Sequence, residues 1–166
     1  MLSDRFPREK CGLIANLSSL SFDYASRQKV GGTHLKYFTM KQLPLFPPGA
    51  YSPADLDFLL PRVLELVYTA DDMTPFARDL GYQGDPFPWN PERRALLRAE
   101  LDAFYAKKYG LTREELLFVL DPAEVCGEDY PTETFPGLKN NEMRKFGEYR
   151  TKRLVLEAWD RLFGKG

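Results

Sequence analysis

Apolar residues recur at the helical period near the start of the chain. Four of them are spaced i, i+4, i+7 and i+11, which places them on one stripe of a helix: Leu13, Leu17, Leu20 and Tyr24. The pattern predicts one amphipathic helix over residues 11–28. Gly31 and Gly32 follow, and glycine readily adopts the left-handed conformation that ends many helices. We therefore expect the helix to stop at this glycine pair.

A short second helix is predicted after the glycine pair, over residues 33–42. Thr33 is a suitable N-cap, because its hydroxyl can accept a hydrogen bond from a backbone N–H of the first turn. The apolar residues expected in this helix are Leu35, Phe38 and Leu43. Three prolines follow at positions 44, 47 and 48. They favour an extended segment, because proline has no backbone N–H and a restricted backbone.

A capped helix start is encoded at Ser52. Pro53 follows the serine and Asp55 lies three residues after it, which places a proline at the first helical position and an acid at the third. This helix is predicted to run towards Tyr68. Pro61 lies within it and is expected to kink or restart it.

The longest predicted helix begins at Asn90 and Pro91 and is closed by Gly110. Its expected buried face consists of Leu97, Leu101, Phe104 (or Tyr105) and Tyr109. Thr112 and Glu115 then form a capping box for another helix. This second helix is predicted to run through Leu120.

The remaining segments are rich in helix-breaking residues. Thr74 and Pro75 predict a short helix that ends at Gly81. Residues 81–91 hold three prolines and two glycines, so they predict an ordered aromatic loop or a linker. Residues 121–147 are rich in Asp, Glu, Pro, Gly and Asn and are predicted to be irregular.

A final helix is predicted over residues 146–163, with a buried face of Tyr149, Leu156, Trp159 and Phe163. Few segments alternate as strands do, so the expected fold is mostly α, a helical domain with Pro-rich connections. No apolar run of about 18 residues occurs, and the first residues lack the apolar centre of a secretory signal. We expect a cytoplasmic location and no membrane partner.

Charge is distributed unevenly along the chain. Residues 1–51 carry seven Lys or Arg against three Asp or Glu, and residues 136–166 carry eight against four. The segment between them carries eight against seventeen. Two basic ends therefore flank an acidic middle, which bears on binding partners rather than on fold. Cys11 and Cys126 match no metal or disulfide pattern and are expected to be reduced, packed as small apolar residues.

The motifs of common enzymes are missing. The sequence has no glycine-rich phosphate loop, no GxSxG elbow and no HExxH pair. The Asn-Pro-Pro-aromatic signature of amino-methyltransferases is absent as well. One histidine and two isolated cysteines do not suggest a zinc site. The chain is therefore not expected to be a complete enzyme, and no catalytic, cofactor or metal residue is assigned.

Three segments nevertheless resemble one family. The string ANLSSLSFDYASRQKVGGTHLKYFTMKQLPLFPP at 15–48 resembles a segment of large adenine-specific DNA methyltransferases of type II restriction–modification systems, including type IIG-like enzymes. PRVLELVYTADDMTPFARDLGY at 61–82 and FGEYRTKRLVLEAWDRL at 146–162 are similar to later segments of the same family. The resemblance implies that residues 1–48 end a target-recognition region and that 49–166 form a C-terminal helical domain.

The family also implies partners. Double-stranded DNA and an N-terminal methyltransferase domain or subunit are expected, with S-adenosylmethionine bound by the intact enzyme and not by this chain. DNA is held mainly through its phosphates by Lys and Arg. The candidate DNA-binding residues are Arg27, Lys29, Thr33, His34, Lys36, Lys41, Arg150, Lys152 and Arg153. For all of these, an ordinary solvent-exposed or packing role remains open. A helical protein-interaction module that docks through residues 82–89 also remains open, as does a stand-alone enzyme.

Overall fold

The computed structural model describes residues 7–30 and 34–164. These residues form ten α-helices, two short 3-10 helices (Pro48–Ala50 and Asp71–Met73) and no strand. The expected mostly helical fold is thereby confirmed. The α-helices are α1 (Pro7–Leu17), α2 (Leu20–Lys29), α3 (Tyr37–Met40), α4 (Pro53–Val67), α5 (Thr74–Asp79), α6 (Pro91–Lys108), α7 (Arg113–Leu120), α8 (Pro122–Cys126), α9 (Pro136–Phe146) and α10 (Arg150–Phe163).

The single helix predicted over residues 11–28 is wrong, because the chain forms two helices there. The hydroxyl of Ser19 accepts a hydrogen bond from the backbone N–H of Phe22 and caps α2. The break shifts the helical phase, so the predicted leucine stripe does not form the buried face. Leu17 is exposed. The residues of α1 that are buried are mostly small: Cys11, Gly12, Ala15 and Asn16.

The second predicted helix is shorter than residues 33–42. It covers only the four residues of α3, with Lys36 at the N-cap and no side-chain cap bond. Leu35 and Phe38 were expected to be apolar anchors, but they are 49% and 62% exposed, whereas Leu43 is buried. One helical turn has too few residues to cover an apolar face. The predicted cap residue, Thr33, lies outside the described residues.

Three of the predicted helix caps, at Ser52, Asn90 and Thr112, are confirmed. Ser52 and Asp55 form a reciprocal capping box at the start of α4, and Thr112 and Glu115 form another at the start of α7. The side chain of Asn90 accepts a hydrogen bond from the third residue of α6. These caps are local interactions within four residues, so they can be identified from sequence alone.

The segments that contain prolines differ more from expectation. Helix α4 continues through Pro61 without a restart. Thr74 does not cap α5; its hydroxyl lies 3.2 Å from that of Tyr68. Residues 121–147 are not irregular, because α8 and α9 lie within them and each begins with a proline. Proline suits the first turn of a helix, where its missing N–H leaves no hydrogen bond unmade.

The last helix begins at Arg150 rather than at residue 146. Gly147 ends α9 with a φ of 74°, in the left-handed region that glycine tolerates best. Tyr149 and Trp159 are buried as expected, but Phe163 is 39% exposed. The buried face of α10 instead includes Leu154, Val155 and Ala158. Of the two cysteines, Cys11 is buried and Cys126 is exposed.

Helix α6 is the centre of the packing. It makes the most extensive contact of the fold with α10, and it also packs against α2 and α4. Helix α1 packs mainly against α4. Cys11 and Ala15 of α1 share a core cluster with Leu101 and Tyr105 of α6. Helices from both sides of residue 48 therefore share one core, and the domain boundary placed there stays a prediction.

Gly12 allows α1 to approach this core closely. The hydroxyl of Tyr105 donates a hydrogen bond of 2.7 Å to the Gly12 carbonyl oxygen. The same hydroxyl lies 3.1 Å from that of Tyr51. A Cβ atom at Gly12 would lie 2.7 Å from the ring of Tyr51, closer than two carbon atoms can approach. Only glycine leaves room for the tyrosine ring at this position.

We predict that Gly12→Ala destabilises the fold by about 2 kcal/mol, because the added methyl group must displace the Tyr51 ring. Gly137→Ala is the matched control. Gly137 also lies in a helix, but a Cβ atom there meets nothing within 4 Å. Alanine favours helix over glycine, so this control should be neutral or stabilising by up to about 1 kcal/mol. Urea denaturation measures both changes, and equal stabilities for the two variants would contradict the close approach.

Candidate nucleic-acid interface

Residues 34–42, here called the arm, follow α2 in the chain and carry exposed apolar side chains. Tyr37 is 73% exposed, Phe38 is 62% exposed, and Leu35 and Met40 are also exposed. The ammonium group of Lys41 lies 4.5 Å from the centre of the Tyr37 ring, which is a cation–π distance. The arm therefore presents aromatic and basic side chains together at the surface.

Two lysines, one just before the arm and one within it, have no charged partner. Lys29 in the last turn of α2 and Lys36 at the N-cap of α3 are both exposed. Neither lysine side chain makes a hydrogen bond or an ion pair within residues 7–30 and 34–164. His34 is exposed as well. Of the candidate residues predicted in this segment, only Thr33 falls outside the described part of the chain.

Arg27 is held differently from the two lysines. Its guanidinium makes two hydrogen bonds to the carboxylate of Asp23, one turn earlier in α2, at 3.0 and 2.9 Å. It also lies 5.2 Å from the centre of the Phe135 ring, at the start of α9. The end of α2 that leads towards the arm is thus adjacent to the beginning of α9.

The three candidate residues of α10 all contact carboxylates. Arg150 bonds to Glu92 of α6 at 2.5 Å, and its side chain is only 13% exposed. Arg153 bonds to two glutamates, Glu148 and Glu157. Lys152 bonds to Asp121 and to Glu124. The basic cluster seen in the sequence is therefore largely neutralised by acids within the chain, and contact of these residues with DNA stays a prediction.

Asp121 is a buried acid between two lysines. Its carboxylate accepts hydrogen bonds of 2.8 Å from both Lys139 and Lys152. Burial alone would raise the pKa of Asp121, but the two ammonium groups outweigh it and lower the pKa. The pair of bonds ties the start of α8 to α9 and α10. Sequence analysis assigned Asp121 no role, because its partners are 18 and 31 residues away.

Asp102 is the second buried acid that sequence analysis missed. It lies on the buried face of α6 and is 8% exposed. Its Oδ1 atom accepts a hydrogen bond of 2.8 Å from the backbone N–H of Leu20, at the start of α2. Burial raises the pKa of Asp102 to about 7, although the Leu20 bond and the charge of Arg98 act in the opposite direction. A carboxyl group with a pKa near 7 is partly protonated at physiological pH.

The aromatic segment that was considered as a docking surface is an ordered loop. The rings of Tyr82 and Phe87 stack with centroids 5.1 Å apart, and both contact Tyr68 edge-on. Trp89 is 66% exposed, and the guanidinium of Arg94 lies 3.8 Å from its ring centre. Tyr82 and Phe87 thus pack the loop against Tyr68 at the end of α4, whereas Trp89 lies at the surface.

Two other kinds of site are absent from the part of the chain that the structure describes. No group of three or more His, Cys, Asp or Glu side chains is arranged to hold a metal ion there. Within the same residues, no helix combines the length and apolar character that crossing a bilayer requires.

Comparisons with known proteins return no match. No protein-family model, no curated protein and no solved structure is detectably similar to the chain. Fold and geometry thus define the class: an all-helical domain that carries an exposed basic and aromatic arm.

We predict that Asp102→Asn changes how stability depends on pH. Between the unfolded pKa of about 3.9 and the folded value near 7, the folded state retains a proton that the unfolded state releases, so the wild type loses stability as pH rises. Asparagine cannot ionise, yet its amide oxygen can still accept the Leu20 bond. The free energy of unfolding of the variant should therefore rise relative to wild type by about 2 kcal/mol from pH 5 to pH 7. Urea titrations measure it.

Asp85→Asn is the control for this experiment, because Asp85 is exposed. If Asp102→Asn and Asp85→Asn give the same pH profile, Asp102 is not buried as described.

For Asp121→Asn, the difference in free energy of unfolding from wild type is predicted to change with pH in the opposite direction to that of Asp102→Asn. Removing the charge leaves two partly buried ammonium groups without their acid, so we expect a loss of about 2 to 3 kcal/mol at pH 7. The folded pKa of Asp121 is lowered, so its contribution is present above the unfolded pKa and disappears as pH falls through the folded value. Denaturation at pH 7 and pH 3 tests both points. A variant as stable as wild type at pH 7 would contradict them.

Proposed function

We propose that this chain is the non-catalytic DNA-recognition and scaffold portion of an adenine-specific DNA methyltransferase, from a restriction–modification or phage-defence system. The intact enzyme would use S-adenosylmethionine bound by an N-terminal methyltransferase domain or subunit, and it would act in the cytoplasm on double-stranded DNA. The observation that carries the proposal is the exposed arm together with the unpaired side chains of Lys29 and Lys36. The family resemblance of residues 15–48 supplies the methyltransferase assignment.

Phosphate binding favours cations that have no partner in the free protein. Lys29 and Lys36 meet this requirement among the described residues, since neither has an acid to give up when a phosphate approaches. Each lysine that contacts a phosphate releases condensed counterions from DNA, which strengthens binding at low salt. Arg27, Arg150, Lys152 and Arg153 would each have to exchange a carboxylate for a phosphate.

The aromatic residues of the arm supply the second argument. Large apolar side chains that are more than half exposed gain by leaving water when a partner covers them. Tyr37 and Phe38 are two such residues, and both lie between basic residues of the arm. Proteins that bind DNA insert apolar side chains between base steps or stack aromatic rings on unpaired bases. A basic segment with exposed rings suits this kind of contact.

The ion pairs of α10 support a scaffold role for the C-terminal helices. Arg150 connects α10 to α6, and Lys152 connects it to α8. These bonds join helices that are far apart in sequence. They hold the helical body rigid, so that it can position the arm against DNA and brace the catalytic domain.

We predict that Lys29→Gln and Lys36→Gln weaken DNA binding by the full-length enzyme for all sequences alike. Each should reduce the slope of log affinity against log salt by about 0.9, and the double variant by about 1.8, because each removes one phosphate contact. Fluorescence anisotropy on cognate and unrelated duplexes, from 50 to 300 mM salt, measures the slope. Arg78→Gln is the matched control, since Arg78 is an exposed helical cation outside the arm, and it should leave the slope unchanged.

Arg150→Ala combined with Arg153→Ala distinguishes the two basic ends in the same assay. We expect a smaller change of slope than for the two lysines, because both arginines contact carboxylates in the chain. A slope reduced by about two for the arginine pair, with none for the lysine pair, would move the DNA contact from the arm to α10. Unchanged slopes for both pairs would refute phosphate contact by these four residues.

A further inference from the structure

A cavity of about 490 Å³ lies between the α1–α2 junction, α4, α6, α9 and α10. Its size is within the range of pockets that bind small molecules, roughly 300–1,000 Å³. Apolar side chains supply much of its wall, among them Ile14, Leu66, Val67 and Ala95. The charged residues of its lining lie mainly on α6. This mixture of apolar wall and a few polar groups is typical of a ligand site.

Asp102 gives the cavity an unused hydrogen-bond acceptor. One carboxylate oxygen, Oδ1, accepts the Leu20 N–H, but the other has no hydrogen-bond partner among the described residues. The residue is 8% exposed and lines the cavity. This free oxygen can accept a hydrogen bond from a ligand N–H group.

Arg98 gives the cavity an unused cation. It lies four residues before Asp102 and thus on the same face of α6. It is exposed, and its side chain makes no hydrogen bond or ion pair within the described ranges. The other two arginines of the lining are occupied: Arg94 bonds to the Leu66 carbonyl oxygen, and Arg150 bonds to Glu92.

We propose that this cavity binds a nucleoside monophosphate whose base carries an amino group. The base would lie between the apolar walls with its amino N–H directed to Asp102, and the phosphate would bind the guanidinium of Arg98. The two recognition groups differ in depth, since Asp102 is buried and Arg98 is exposed. A ligand with an uncharged donor at one end and an anion at the other matches this arrangement, and a mononucleotide fits the volume. Arginine is well suited to phosphate because its planar group binds two oxygens.

The test uses isothermal titration calorimetry on the purified chain. Adenosine monophosphate is the main probe. Purine riboside 5′-monophosphate lacks the amino group, ribose 5-phosphate lacks the base, and adenosine lacks the phosphate. We expect adenosine monophosphate to bind at least about tenfold more tightly than each of the three, since each loses one interaction. In a ¹H–¹⁵N spectrum, adenosine monophosphate should also shift the amide signal of Leu20, which is bonded to Asp102.

Variants separate the two ends of the site. Arg98→Gln should weaken adenosine monophosphate about tenfold and abolish its advantage over adenosine, whereas Arg78→Gln should change neither. Asp102→Asn should abolish the advantage over purine riboside 5′-monophosphate. The spectral test on the wild type needs no variant, so it stands even if one fails to fold.

Three outcomes would overturn the proposal: no binding of adenosine monophosphate at millimolar concentration, equal binding of inorganic phosphate, or unchanged affinity of Arg98→Gln. None of these bears on DNA contact by the arm, because the cavity and the arm share no residues. Failure of the nucleotide site and failure of the proposed function are therefore measured separately.

Discussion

The hydrogen bond from the Tyr105 hydroxyl to the Gly12 carbonyl oxygen is the contact on which the rest of the fold depends. It joins the first helix to the central one across 93 residues of sequence, in a site where Tyr105 is completely buried. A buried hydroxyl must find an acceptor, and a helix carbonyl is accessible only where the helix surface is bare. Gly12 provides that surface, and Cys11 and Ala15 extend it. The small residues of α1 thus leave the space that the tyrosine rings occupy.

Two buried acids join the helices of the body, and the fold favours the ionised form of one and the protonated form of the other. Asp121 is ionised and balanced by two lysines, so it adds stability at neutral pH. Asp102 has a backbone N–H as its hydrogen-bond partner and a nearby arginine that does not contact it, so its burial favours the protonated form. Both acids connect helices that are distant in sequence: Asp102 holds the start of α2 against α6, and Asp121 holds α8 against α9 and α10. A fold assembled from short helices needs such connections, because each helix alone buries little surface.

The basic residues fall into two groups. Those paired with carboxylates fit the proposed scaffold, and those without such partners fit the proposed contact surface. The arginines and the lysine of α10 are engaged with carboxylates, and they stiffen the body. Lys29 and Lys36 have no such partners, and Lys36 directly precedes the exposed rings of Tyr37 and Phe38. Net charge along the chain does not reveal this difference, since both ends are equally basic in sequence. Only the pairing of each cation with an acid decides whether it is available to a phosphate.

The sequence by itself determined the helical class and the helix starts at Ser52, Asn90 and Thr112, because caps are made within four residues. It also identified both basic ends. It did not reveal the break at Ser19, the helices within residues 121–147 or the exposure of Phe38. The cap at Ser19 and the prolines that begin α8 and α9 are local signals that went unread, whereas the exposure of Phe38 depends on which side chains meet across the fold. The roles of Asp102, Asp121 and Gly12 were decided only by tertiary structure, because burial and partners 18 to 93 residues away set them, and no local pattern records such distances.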